Sequence, residues 1–87
     1  MTISSDVEEQ AEQALANVGQ ALHEAGSGFS DVVRVRYILP VTSDVEACWP
    51  VLRRCLGDAR PAATMIVAGL ADARMRFEIE VTARRSI

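Results

Sequence analysis

The basic side chains available for chemistry in this sequence are all arginines. Nine arginines and no lysine occur among 87 residues, so neither a Schiff-base lysine nor a phosphate-loop lysine can operate here. The net charge is -3 and the sequence pI is about 5.0. Non-specific nucleic-acid binding needs a basic stripe that neutralises phosphates. The charge of the chain therefore disfavours nucleic acid as the partner.

The two thiols and the single imidazole do not form a reactive group in the sequence. Cys48 and Cys55 lie seven positions apart on a predicted helix, about 10.5 Å along its axis, which is too far for a disulfide. His23 lies on the solvent side of another helix, so no Cys-His, Ser-His-Asp or metal-ligand set is predicted. We expect buried, inert thiols in a reducing compartment, no metal and no cofactor.

Two segments have the apolar spacing of amphipathic helices. The first is predicted to begin at a capping box, Ser5-Asp6-Val7-Glu8, and to end at Gly26. The second is predicted to begin at another box, Ser43-Asp44-Val45-Glu46, and to end at Gly57, with Pro50 on its outer face. The predicted apolar face of the second helix comprises Val45, Cys48, Trp49, Leu52, Cys55 and Leu56.

Three segments have the patterns of β-strands. Residues 31–39 alternate, with Val33, Val35, Tyr37 and Leu39 predicted on one face. Residues 63–70 form a continuous apolar run that predicts a strand buried on both faces. Residues 75–83 alternate again, and we expect them to form a hairpin with the preceding strand.

The order helix, strand, helix, strand, strand predicts an α+β fold with a mixed sheet and a crossover through the second helix. Both helices should cover one face of the sheet. The other face should hold an ionic layer of Arg34, Arg36, Arg76, Glu78 and Glu80. Three strands with one covered face make a thin structure with open edges. Either the chain assembles with copies of itself, or more strands belong to it.

The chain length and composition bound the class of protein. We expect one domain over residues 1–87, because 87 residues with 49% hydrophobic content suit one small core. No apolar run is long enough to span a bilayer, and the first residues lack a signal-peptide pattern. The sequence therefore predicts a cytoplasmic protein without a membrane partner.

Four segments, in order, resemble the RidA/YjgF family of reactive-intermediate deaminases, some of which are catalogued as L-PSP-type endoribonucleases. They are VEEQAEQAL at 7–15, SDVVRVR at 30–36, RPA at 60–62 and FEIEV at 77–81. The resemblance implies a chorismate-mutase-like subunit, a homotrimer, and ligand clefts between neighbouring subunits. Active members hydrolyse small 2-aminoacrylate-type enamines and imines. An arginine pairs with the substrate carboxylate, and a glutamate with its neighbours activates water.

The resemblance assigns cleft positions to particular residues. Glu78 matches the glutamate, whereas Ala63 stands where the family has its arginine, and a methyl group cannot pair with a carboxylate. Thr64 and Trp49 also match cleft positions, although we expect Trp49 to be a core residue. Family chains normally have strands before the first helix of this sequence, so we expect a chain truncated relative to the family.

The functional alternatives stay open at this point. The first is a RidA-like hydrolase with altered substrate anchoring, in which Glu78 acts as a general base. In a structural interpretation, Glu78 instead pairs with Arg34 or Arg36 across the sheet. The second function is a non-catalytic ligand-binding or interaction trimer, and the third, which the acidic charge disfavours, is a ribonuclease. Arg60 is close in sequence to Ala63, and the sequence leaves open whether it replaces the arginine.

Overall fold

A computed structural model describes residues 3–85, so the ends of the predicted 1–87 domain lie outside the described residues. The elements follow the predicted order. They are helix α1 (Val7–Glu24), strand β1 (Val32–Leu39), helix α2 (Val45–Leu56), strand β2 (Ala62–Val67) and strand β3 (Glu78–Ala83). Short 3-10 turns at Phe29–Asp31 and Thr42–Asp44 precede β1 and α2.

Helix α1 begins one residue later than predicted. Asp6, not Ser5, is the N-cap, and its carboxylate accepts a hydrogen bond from the Glu8 backbone N–H at 3.1 Å. The predicted box at Ser5 is wrong because the adjacent Asp6 offers a carboxylate, which is an equally good cap and a better partner for the helix dipole. Gly26 has φ 77 and ends the helical segment, as predicted.

The start of α2 also differs from the prediction. The N-cap is Asp44 rather than Ser43, and its side chain makes no capping hydrogen bond. Its carboxylate instead pairs with Arg76, with the Nη2 to Oδ1 distance at 3.0 Å. The second capping box is therefore wrong, because Ser43 lies within the 3-10 turn Thr42–Asp44 and the helix begins one residue later than a Ser43 cap requires. Pro50 lies inside the helix and is exposed, as predicted.

The sheet is mixed and has the order β2-β1-β3. Strand β1 is parallel to β2, through the predicted crossover in α2, and antiparallel to β3. The predicted hairpin between the last two strands is wrong, because β3 pairs with the far side of β1 instead. Residues 68–77 form the connection, which is long enough to cross the end of β1 and needs no tight turn.

Strand β2 is an exposed edge strand, which corrects the prediction of a strand buried on both faces. It ends at Val67, and Met65 and Val67 are 41% and 54% exposed. An apolar run fits a central strand or an edge strand whose faces are not covered, and only the strand order decides between them. The two helices cover β1 and the inner face of β3, and they leave β2 largely open.

A β-bulge at the start of β1 places Val32 rather than Val33 in the core. The register between β1 and β3 shifts between Val32 and Arg34. Val33 is 41% exposed and Val32 is 2% exposed, so the predicted inward position of Val33 is wrong. Strict alternation resumes at Val35 and places Tyr37 and Leu39 inward, as predicted.

One hydrophobic core lies between the two helices and the inner face of β1 and β3. Its members are Val7, Ala11, Leu15, Leu22, Val32, Val35, Tyr37, Leu39, Cys48, Val51, Leu52, Leu56, Phe77 and Ile79. Both helices pack on this face of the sheet, as predicted. We call the opposite face, which no element of the described chain covers, the open face.

Candidate functional site

Glu78 lies on the open face at the first position of β3. Its register partner on β1 is Ile38, which in turn pairs with Ile66 on β2. Paired residues project to the same side of a sheet, and Ile38 lies on the side opposite buried Tyr37 and Leu39. Glu78 is exposed, and within residues 3–85 its side chain makes no hydrogen bond or ion pair. Its carboxylate is therefore accessible.

The ion pair predicted for Glu78 is made by another glutamate. Arg36 Nη2 lies 2.6 Å from Glu80 Oε2, and Arg36 Nε donates to the same oxygen at 3.2 Å. Both side chains are about half exposed. The pairing of Glu78 with Arg34 or Arg36 is thus wrong, because Arg36 and Glu80 are directly opposed in register and Glu78 faces Ile38.

Ala63 and Thr64 lie on opposite faces of β2. Ala63 pairs with Val35, whose side chain is buried beneath the helices, so the Ala63 methyl group projects to the helix side. Thr64 pairs with Arg36 and projects from the open face. Ala63 and Glu78 therefore lie on opposite faces and on the two outer strands, with β1 between them. A single subunit does not bring these two positions together.

Trp49 lies at the rim of α2 rather than in the core. It is 40% exposed, so the prediction of a core tryptophan is wrong. Helix α2 points Cys48, Val51 and Leu52 into the core, and this rotation leaves Trp49 at the edge of the apolar face. The indole meets the Tyr37 ring edge-on, with centroids 6.4 Å apart and planes at 84°. Burial raises the pKa of the Tyr37 phenol.

A small cleft opens where α2 ends and β2 begins, and we call it the α2 cleft. Its volume is about 150 Å³, and its lining includes Tyr37, Trp49, Leu52, Arg53, Arg60 and Pro61. Arg60 is the only non-glycine residue with positive φ within the described range, at 48°. The sequence did not point to Tyr37 or Arg53 as site residues. A long-range contact between a strand and a helix end assembles this cleft, and no local pattern encodes such a contact.

Arg76 does not belong to the ionic layer of the open face. Its guanidinium bridges Asp44, at 3.0 Å and 3.2 Å, and the backbone carbonyl of Ser5 at 2.7 Å. The Asp44 carboxylate raises the pKa of this guanidinium above its ordinary value. The prediction was wrong because Arg76 precedes β3, where the chain still runs beside the starts of both helices. Arg76 therefore ties three segments together and is not free for a ligand.

The prediction of two buried thiols is confirmed for Cys48 and wrong for Cys55, which is only half-buried. Cys48 is buried, and its Sγ lies 3.5 Å from the carbonyl oxygen of Asp44. Burial, followed by the negative charges of Asp44 and Glu8, raises its pKa to about 11. Cys55 is half-buried and also free. Between residues 3 and 85, no group of His, Cys, Asp or Glu side chains has the arrangement of a metal site.

No helix in the described part of the chain is long and apolar enough to cross a membrane. The fold is an α+β subunit of the chorismate-mutase-like type, with two helices on one face of a mixed sheet. Comparison with known proteins defines the family. The sequence pattern of the Endoribonuclease L-PSP family matches residues 1–85, and the chain therefore belongs to this family, also called YjgF/RidA.

Individual proteins are also similar to this chain. An uncharacterized protein of Streptomyces coelicolor is 32% identical over 81 residues, covering 92% of this chain and 60% of that protein. A RutC family protein of Pyrococcus abyssi is 26% identical, covering 93% of this chain and 64% of that protein. The crystal structure of a Mycobacterium tuberculosis member of the YjgF/YER057c/UK114 family superposes with a TM-score of 0.88 at 29% identity, covering 93% and 70%. The chain thus spans less than two thirds of the length of both curated relatives.

Proposed function

We propose that this chain forms a homotrimer with ligand clefts between subunits, and that these clefts act on small imine or enamine metabolites. The observation that supports this best is the accessible carboxylate of Glu78, which has no ionic partner among residues 3–85. An unpaired carboxylate on a sheet face can accept a proton from water. Glu78 also occupies the position of the water-activating glutamate in the RidA/YjgF resemblance.

The geometry of the sheet supports a cleft that needs a second subunit. Strand β2 carries Ala63 and Thr64, and Trp49 lies on α2 near the start of β2. Glu78 lies at the start of β3, on the other side of β1. Ala63 and Glu78 project from opposite faces, so one ligand cannot contact both positions within one chain. Packing the open face of one subunit against the β2 edge of another would place the two positions at one cleft and cover the exposed edge.

The proposed reaction is hydrolysis of a carbon–nitrogen double bond. Glu78 takes a proton from water as the oxygen adds to the imine carbon, and the resulting carbinolamine expels ammonia to leave a keto acid. Water supplies the oxygen of the new carbonyl group, and its protons leave with the nitrogen. Ala63 offers no bidentate partner for a substrate carboxylate. We therefore expect weak turnover of 2-iminopropionate.

A coupled semicarbazone assay with 2-iminopropionate tests this proposal. Ala63→Arg should raise kcat/KM by about tenfold or more, as expected for a charge-assisted bidentate contact. Glu78→Gln should abolish turnover in that background. Glu80→Gln is the matched control, because Glu80 lies on the same strand and face but is paired with Arg36. Equal turnover of the Glu78→Gln and Glu80→Gln variants would contradict the role of Glu78.

Mixing subunits tests whether the cleft is shared. The native chain lacks the arginine, and the double variant Ala63→Arg, Glu78→Gln lacks the carboxylate. Alone, the native chain should show only its weak turnover, and the double variant should be inactive. Co-refolded together, they should show activity if position 63 and Glu78 come from different subunits. Inactive mixed oligomers, with Ala63→Arg alone active, would place both positions in one subunit.

A non-catalytic ligand-binding trimer is the second candidate, and the alanine at position 63 favours it. In that case Ala63→Arg binds carboxylates such as pyruvate but does not hydrolyse the imine. Ribonuclease activity has less support, because the chain has no lysine and a net charge of -3.

A further inference from the structure

The open face carries two charged side chains of opposite sign that have no partner within the subunit. Arg34 lies near the start of β1 and is exposed, and the next residue, Val35, is buried, so alternation places Arg34 on the open face. Glu78 lies on the same face at the start of β3. Among residues 3–85, neither of these two side chains makes a hydrogen bond or an ion pair.

The two charges do not neutralise each other within one chain. Glu78 is paired in register with Ile38, which lies four residues beyond Arg34 on β1, a separation of about 13 Å along the strand. The ion pair between Arg36 and Glu80 lies between them on the same face. One subunit therefore presents a free positive charge towards one end of its open face and a free negative charge towards the other end.

A second copy of the chain supplies the complementary charge. This inference rests on the proposed function, in which the open face of one subunit packs against the β2 edge of another. A charge that leaves water is costly unless an opposite charge accompanies it. Arg34 is close to that edge, because its register partner on β2 is Ala62, and a long arginine side chain can extend across so small a residue. Ala62 adjoins Ala63, so Arg34 reaches the interface that contains the proposed cleft.

We propose that Arg34 pairs with Glu78 of the partner subunit and positions that carboxylate in the shared cleft. One carboxylate oxygen accepts a hydrogen bond from the guanidinium, and the other oxygen stays available to water. Charges at opposite ends of a face make a head-to-tail contact, and three such contacts close a ring in a cyclic trimer. Arg34 acts through the glutamate and does not touch the substrate, so it is a positioning residue.

Charge reversal tests this pair through the mass of the particle in solution. Arg34→Glu places a second carboxylate against Glu78, and the protein concentration at which half of the trimer dissociates should rise by about tenfold or more. The double variant Arg34→Glu, Glu78→Arg restores opposite charges, and its half-dissociation concentration should return to within about threefold of the native value. A double variant that dissociates as readily as Arg34→Glu would overturn the proposal.

Arg53→Glu is the matched control for the reversal of charge. Arg53 is also an exposed arginine without an acidic partner in the described range, but it lies on α2, on the other side of the sheet. Its half-dissociation concentration should stay within about twofold of the native value. Equal dissociation of Arg53→Glu and Arg34→Glu would show a general effect of charge and would contradict a specific pair.

Steady-state kinetics separate positioning from a purely structural role. In the Ala63→Arg background, at a concentration where the particle is trimeric, Arg34→Gln should lower kcat for 2-iminopropionate by about tenfold and leave KM nearly unchanged. Arg34→Lys keeps the charge and should recover part of kcat. Because Arg34 is exposed in the subunit, far-UV circular dichroism should show the same fold for all three proteins. An unchanged kcat in Arg34→Gln trimers would refute the positioning role.

The outcomes distinguish this pair from the proposed function. An active trimer whose dissociation and kcat do not respond to Arg34 would remove the pair and leave the proposed function standing. A trimer that responds to charge reversal and is restored by the exchange of charges, but hydrolyses no imine even with Ala63→Arg, would keep the pair and remove the hydrolysis. A particle with the mass of one chain would contradict both.

Discussion

The side chain of Gln10 hydrogen-bonds to the backbone of the segment that leads into β3. Its Nε2 donates to the carbonyl oxygens of Ser4 and Arg74 at 2.7 Å and 3.0 Å, and its Oε1 accepts from the Arg76 N–H at 2.7 Å. The amide thus satisfies a carbonyl and an N–H two residues apart, as the backbone of a neighbouring strand would. We predict that Gln10 fixes the position of Met75 between them.

The expected cost of removing this amide follows from its contacts. Gln10→Ala loses three hydrogen bonds, each with a net value of about 1 kcal/mol, and gains a few tenths of a kcal/mol from the better helix former. The free energy of unfolding should fall by about 2 kcal/mol, which lowers Tm by about 8–16 °C for a domain of this size. Gln10→Glu should cost more, because a carboxylate would face two carbonyl oxygens.

Thermal unfolding followed by far-UV circular dichroism measures this effect. Gln13→Ala is the control, because Gln13 lies one turn further along α1 and donates only to Asn17 Oδ1 on the exposed surface. Its Tm should change by no more than about 3 °C. If Gln10→Ala and Gln13→Ala unfold at the same temperature, the amide does not act as a strand substitute and the reasoning fails.

The remaining predictions concern the core and the thiols. Val35→Ala should lower the unfolding free energy by about 2 kcal/mol in urea titrations, because Val35 is buried. Val33→Ala should change it by less than about 0.5 kcal/mol, because the bulge exposes Val33. Equal losses of unfolding free energy would contradict the bulge. At about pH 8, iodoacetamide should modify Cys55 in the folded protein and Cys48 only after unfolding, since burial raises the pKa of Cys48 to about 11. Mass spectrometry of the labelled peptides measures this, and modification of Cys48 in the folded protein would refute its burial. The folded-state pKa of Cys48 lies above its ordinary value of 9.0, so the neutral thiol stabilises the fold fully below about pH 9, and this contribution is lost as the pH rises towards 11. Urea titrations of the native and Cys48→Ala proteins should therefore give unfolding free energies whose difference shrinks over this pH range.

The order and type of the elements could be predicted because local spacing encodes them. The stripe of α1 and the alternation of residues 77–82 place Leu15, Phe77 and Ile79 in the core without knowledge of their partners. The caps could not be resolved, because Ser5 and Asp6 are neighbouring residues that both suit the role. Ser43 was predicted as the cap of α2, whereas Asp44 holds that position and its carboxylate pairs with Arg76.

Strand order was the main feature that the sequence did not determine. An apolar run such as residues 63–70 has the same local signature at the centre and at the edge of a sheet. The structure places β2 at the edge, and this placement exposes Met65 and Val67. The bulge at Val33 is likewise a property of the pairing between β1 and β3, since a one-residue slip moves a side chain to the opposite face.

The candidate site was predictable only in part for the same reason. Alternation correctly placed Glu78 on the face away from the helices. The partner of Arg36 is Glu80 and not Glu78, and this depends on the register of two strands far apart in sequence. The separation of Ala63 from Glu78 depends on the strand order. Arg60 and Trp49 line the same cleft only because α2 packs beside the start of β2.

The mass of the particle in solution tests the central claim most directly, because the proposed catalytic cleft exists only where subunits meet. Light scattering coupled to size-exclusion chromatography at low micromolar concentration should give three times the 9.4 kDa of one chain. A stable particle of 9.4 kDa that still hydrolyses 2-iminopropionate would contradict a cleft shared between subunits.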